Sequence, residues 1–168
     1  MSTTAAAMNP AVAQLLQSLH HEHKTTMRVL KAVPADQLGF KPHERNMSAG
    51  ELAWHVAYSQ YGLALVAATT RFDVYQQPPA PPTLDEIVAG GETYYEKARE
   101  VLSSLTAAQL SASIPLPGGR SMPAAGLIWS GVLFHQIHHR GQLSVYIRMA
   151  GGKVPSIYGP SGDDNPFA

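Results

Sequence analysis

The stretch FHQIHHRGQLSVYIRMAGG, residues 134–152, decides the fold. Its apolar positions recur at helical rather than strand spacing, and the closing Gly-Gly is a helix stop signal. Extended back to residue 122, with Pro123 at the start, the pattern predicts one helix over 122–150. At about 100° per residue, Ile128, Val132, His135, His139, Gln142, Tyr146 and Ala150 share a face, which is expected to point inward. A helix of this length needs partners to cover that face.

Working outward, three more helical patterns appear. One spans roughly 10–32, with Val12, Leu16, Leu19, His23, Met27 and Leu30 at helical spacing. The next spans 48–70 and opens on the capping-box pattern Ser48-Ala49-Gly50-Glu51, with Leu52, His55, Ser59, Gly62 and Val66 on one stripe. The third spans 83–106, with Asp85 and Glu86 in its first turn, where negative charge suits the helix dipole. The connection FDVYQQPPAPP is too rich in proline to be helical and is expected to run as a stiff crossover on the surface. The segment SASIPLPGGR breaks the third helix, and the irregular tail 152–168 is expected to be tied down by Ile157 and Tyr158. With no internal repeat, residues 1–168 read as one all-α domain, a four-helix bundle with long crossover connections.

Composition narrows the function. Lys+Arg and Asp+Glu number 12 each, so no basic excess drives binding to nucleic acid. No stretch reaches membrane-spanning length, and the N-terminal MSTTAAAMNPAVAQLL lacks the basic start and long apolar core of a signal peptide, so the expected location is the cytoplasm. There is no cysteine; a metal would have to be held by histidine or carboxylate.

Histidine is the residue type that the bundle pattern leaves unexplained. His135 and His139 are i and i+4 and stack on one side of the helix, spaced to converge on one ion. His138 points to the flank. The competing reading is a pair of core histidines satisfied by hydroxyls or carbonyls. Two features favour metal: an unpaired imidazole in an apolar stripe is costly, and a third inward histidine, His55, lies on the second helix. Three imidazoles with an open position is the pattern of catalytic zinc sites. The sequence argues against a zinc peptidase of the H-E-x-x-H type, because Gln136 stands where that motif needs its glutamate.

Taken together, ELAWHVAYS, FHQIHHRGQLSVYIRMAGG and VPSIYGPSG resemble the DinB/YfiT-like family of metal-binding four-helix bundles, over nearly the whole chain. The resemblance implies a divalent ion, zinc or nickel, on His55, His135 and His139, with Arg140, Gly141 and Gln142 completing the H-R-G-Q pattern. It implies a small-molecule substrate and one of two chemistries: hydrolysis by activated water, or S-transfer or isomerisation with a low-molecular-weight thiol such as bacillithiol, mycothiol or glutathione. The alternative is a non-enzymatic metal- or small-ligand-binding stress protein.

Around the ligands, Gln142 is expected inward, orienting a ligand or water. Ser59 and Gly62 either open a pocket or allow close helix packing, and Tyr146 either lines that pocket or fills the core. His23 reads as a pocket-lining or hydrogen-bonded core residue, with His20 at the edge of its stripe and His21 and His43 on the surface. Leu133, Ile137, Gly141 and Ser144 are expected to face outward, which favours a homodimer over cover by the C-terminal tail.

Overall fold

The computed structural model describes residues 9–167. The expectations for residues 1–8, including the signal-peptide reading, lie outside the described residues. Four long helical segments pack around a common core. Helix α1 (Pro10–Lys31) and helix α2 (Ala49–Thr69) are followed by α3 (Leu84–Ser103) and by a short α4 (Ala107–Ser111). A hairpin of β1 (Ser113–Leu116) and β2 (Arg120–Pro123) leads into α5 (Ala124–Leu127), which continues through a π-helical segment, Ile128–Phe134, into α6 (His135–Met149). Both α1 and α2 pack against α3 and against α6, which places α1 and α2 on a diagonal. No helix among the described residues is long and apolar enough to cross a membrane.

Local chemistry sets the boundaries. Ser48 and Glu51 form the expected reciprocal cap on α2: the Glu51 amide donates to Ser48 Oγ and the Ser48 amide to Glu51 Oε2. Gly151, at φ +83°, ends α6 in the left-handed conformation that glycine adopts without strain.

Two boundaries differ from the sequence reading. The third helix stops at Ser103, because Thr106 and Gln109 form a second capping box that starts α4. The last long helix begins at Ala124 rather than 122, because residues 120–123 are committed to the hairpin. Gly118 and Gly119 both take positive φ, 76° and 72°, and reverse the chain. Ile114, fully buried, pins the hairpin to the core.

The core falls into two apolar halves with a polar belt between them. One half joins Leu15 and Leu19 to Ala64, Ala98, Leu102, Ile128 and Val132. The other joins Met27 and Leu30 to Leu52, Val56, Ile87, Leu143 and Ile147. Between them along each chain segment lie buried polar residues: His23 and Thr26 on α1, Ser59 and Gln60 on α2, Gln136 and Arg140 on α6. Every one of these needs a partner to offset lost hydration.

The belt corrects the reading of the last helix. Its most deeply buried line is Gln136, Arg140, Leu143 and Ile147, one residue round from the expected His135–His139–Gln142–Tyr146 face. His135 and His139 therefore sit half-buried at the edge of the stripe, and Gln142 is exposed rather than inward. A π-helical segment also winds more slowly than an α-helix, so one wheel cannot carry positions 128 and 135 together. Leu133, expected outside, is buried in the first half of the core, and Ile137 packs against it. The outward large apolar residues of this segment are instead Trp129, Phe134, Val145 and Met149.

Candidate metal centre

Helices α2 and α6 bring His55, His135 and His139 together. One nitrogen from each lies within 4.8 Å of the others, and all three rings are half-buried. His135 Nε2 stands 3.1 Å from His139 Nε2 and 3.4 Å from His55 Nε2. Two nitrogens each about 2.0–2.1 Å from one zinc, at the tetrahedral angle, are about 3.3–3.4 Å apart. The spacing fits a shared ion.

The outer ring nitrogens explain why the inner ones converge. His55 Nδ1 meets Gln77 Oε1 at 2.9 Å, and His139 Nδ1 meets Gln142 Oε1 at 2.7 Å. A carboxamide oxygen only accepts, so each Nδ1 carries the hydrogen and each Nε2 presents a lone pair when the ring is neutral. A proton on His135 Nε2 can satisfy one of those lone pairs but not both. One cation satisfies all three nitrogens, so the donor set fits a divalent metal.

Electrostatics favour the neutral form of His135 and His139. Burial, followed by the neighbouring His139, His55 and His138, pushes the His135 imidazole down to about 4. Burial also lowers His139, against the opposing hydrogen bond from Gln142. Neutral imidazole is the form that binds metal. Unlike these three, His138 is exposed, as expected of a residue on the flank.

A cavity of about 330 Å³ opens beside the centre, lined by His55, Leu63, Phe72, Tyr75 and His135. Its wall comes from the proline-rich crossover, which is more than a surface connection. Tyr75 occupies the notch left by Gly62, where a Cβ would stand 2.7 Å from the tyrosine ring. Gly62 thus makes room for an aromatic residue of the same chain, an option beyond the open pocket and close helix packing expected for it.

The remaining expected residues lie elsewhere. Ser59 is buried in the belt and is not part of the cavity wall. Tyr146 is a core aromatic whose hydroxyl accepts from Asn46 Nδ2 at 2.8 Å. His23 is buried on the α1–α3 side, bonded to Glu92 Oε2 at 2.9 Å and stacked on Tyr95 at 3.7 Å. Gln142 touches a candidate ligand as expected, but from the solvent side.

One contributor escaped the sequence reading: Gln77 gave no signal, since a glutamine in a proline-rich connection carries no periodicity. Arg140, which the H-R-G-Q pattern included, takes a role that the pattern did not specify. Its guanidinium is fully buried, pairs with Glu22 Oε2 at 2.7 Å, and donates to Thr26 Oγ1 and to the Tyr158 hydroxyl. It ties α6 to α1 and to the C-terminal tail.

Comparison with known proteins agrees with this architecture. The sequence profile of the DinB family matches residues 1–165. The protein YjoA of Bacillus subtilis (strain 168) is 30% identical over 140 residues, 82% of this chain and 90% of YjoA. The crystal structure of a DinB-like protein from Bacillus cereus ATCC 10987 superposes with a TM-score of 0.72 at 27% identity, covering 87% of this chain and 97% of that one. A variant of a mycothiol-dependent maleylpyruvate isomerase shares the fold, with a TM-score of 0.57 at 14% identity, over 86% of this chain and 62% of the isomerase.

Proposed function

This chain belongs to the DinB family, and from that premise we propose that it is a metalloenzyme. Its centre is His55, His135 and His139, its metal zinc or nickel, and its reaction the attack of an activated low-molecular-weight thiol on a small electrophile. The observation that carries this is the convergence of three Nε2 atoms, two of them committed to presenting lone pairs by their Nδ1 hydrogen bonds. A divalent ion at such a site supplies Lewis acidity that lowers the pKa of a thiol or a water beside it.

The chain's own residues do the rest. His55, His135 and His139 bind in neutral form. Leu63, Phe72 and Tyr75 wall the cavity against His55 and His135 and exclude water from one side of it. Burial pushes the Tyr75 phenol up to about 12, so that side chain stays neutral and acts as a donor. Among the described residues no carboxylate joins the three histidines. With no acidic side chain in the cluster to take a proton from water, the donor set favours a thiol, which ionises more easily, over hydrolysis. The isomerase that shares the fold is named as mycothiol-dependent, which agrees with the same chemistry.

A cluster of histidines alone also supports the second reading, a metal- or ligand-binding protein without turnover. Elemental analysis of protein made without a histidine tag, followed by a screen of thiols with electrophiles and of esters and amides, separates the two. Metal at one ion per chain with thiol-dependent turnover above a His135→Ala control supports the enzyme. Bound metal with no turnover across the screen supports the binder. No metal above the control removes both. We further propose a cytoplasmic homodimer that pairs through Phe134, Val145 and Met149; a sedimentation series that stays monomeric at all concentrations would remove that part.

A further inference from the structure

The crossover between α2 and α3 is fastened at three successive points. Tyr75 fills the Gly62 notch. The Trp54 indole donates to the carbonyl of Pro78 at 2.8 Å. Between these anchors, Gln77 Oε1 faces His55 Nδ1 at 2.9 Å and also accepts from the Tyr75 hydroxyl at 3.3 Å. Both lone pairs of that oxygen are therefore in use, and the two donors fix which end of the amide faces the imidazole. Pro78 and Pro79 follow directly and restrict the backbone on the C-terminal side.

His139 is supported differently. Its acceptor, Gln142, is three residues along the same helix and exposed, so solvent can replace it. His55 has a partly buried acceptor, supplied by a different segment of the chain. Were that acceptor lost, the hydrogen of a neutral His55 could move to Nε2, and Nε2 would stop being a ligand atom.

We propose that Gln77 is a positioning residue for the three-histidine centre, holding His55 as the Nδ1–H tautomer so that Nε2 remains free to bind. The proposal rests on the metal reading given above. It makes the crossover a strap with two tasks, since the segment that walls the cavity through Phe72 and Tyr75 also orients a ligand. A molecule entering the cavity and the ion at the centre are then coupled through one rigid stretch of chain.

The test uses full-length, tag-free protein and the variants Gln77→Met and Gln77→Glu. Methionine keeps the length and removes the strong acceptor; glutamate keeps an acceptor. The first readout is the His55 tautomer in metal-free protein, from long-range proton–nitrogen NMR. The second is zinc affinity by competition with a chromophoric chelator. In Gln77→Met the Nε2–H tautomer should appear and zinc affinity should fall about 10- to 100-fold. In Gln77→Glu the Nδ1–H tautomer should persist, with affinity equal to or tighter than wild type. If wild type binds zinc and Gln77→Met changes neither readout, the positioning role is wrong while the metal reading stands. Equal losses in the methionine and glutamate variants would reduce Gln77 to a structural strut and also overturn the role. Wild-type protein that takes up no zinc overturns the metal reading and this role with it.

Discussion

On the α1–α3 side of the bundle, His20 meets the Tyr95 hydroxyl at 2.8 Å and His23 meets the Glu92 carboxylate at 2.9 Å. On the α2–α6 side, His55, His135 and His139 turn Nε2 toward one another at 3.1 and 3.4 Å. Both groups stand beside the polar belt of the same core, and helical spacing alone does not tell them apart. Their partners do. Glu92 can take the Nε2 hydrogen of His23, so that nitrogen is satisfied by the protein, while the buried Nδ1 has no partner among the described residues. In the three-histidine group Gln77 and Gln142 draw the hydrogens of His55 and His139 outward, which leaves two lone pairs inside, facing His135. Acceptors around a histidine, more than its burial, separate a structural imidazole from a ligand.

The comparison breaks most sharply on metal retention. His135→Ala should weaken zinc binding by about 100-fold or more, equivalent to about 2.7 kcal/mol. His23→Ala should leave zinc stoichiometry and affinity as in wild type. Chelator competition on the two variants checks this, and equal losses would erase the distinction between the groups.

Metal should stabilise the fold by a comparable amount. Zinc at about 100 times its dissociation constant adds about 2.7 kcal/mol, which for a chain of this size raises Tm by about 5–11 °C. Calorimetry should show that shift in wild type and in His23→Ala, but not in His139→Ala.

Next in size is the structural contribution of the other group. His23→Ala removes a buried ring that stacks on Tyr95 and bonds Glu92. Urea unfolding should show a loss of about 1–3 kcal/mol, and a variant as stable as wild type would contradict the role given to His23.

Acid should act on both groups in the same direction. Burial lowers His23, His135 and His139, His135 to about 4. As pH falls from the unfolded value near 6.5, the unfolded chain takes up protons that the folded one refuses, so the stability of metal-free protein declines. For His135 the decline ends near pH 4; above about 6.5 these groups contribute no slope. Denaturant midpoints measured from pH 8 to 4 check the sign. The smallest effect belongs to His138, exposed beside His139: His138→Ala should change zinc affinity by less than about twofold and stability by less than about 0.5 kcal/mol.

The sequence was most informative where one residue type implies one geometry. Ser48 with Glu51 marked the start of α2, and Gly151 marked the end of α6. The i, i+4 pair His135 and His139, with His55 on a second helix, pointed to the three rings that the fold brings together. The centre line of α6 was misplaced because its innermost residues include Gln136 and Arg140. Long polar side chains read as surface unless a buried partner is known, and Glu22 lies far away in sequence. The hairpin was hidden in a segment short enough to pass for a loop, and the π-helical segment has no periodicity of its own in the sequence. Gln77 was invisible because its role depends on where the crossover docks, which is set by Tyr75 entering the Gly62 notch.

The measurement that tests the central claim most directly is a crystal structure of tag-free, zinc-loaded protein, with the metal located by anomalous scattering at the zinc edge. One peak should stand about 2.0–2.1 Å from Nε2 of each of His55, His135 and His139, with Gln77 and Gln142 still on the opposite nitrogens. A structure with no peak there, or with its strongest peak between His23 and Glu92, would contradict it.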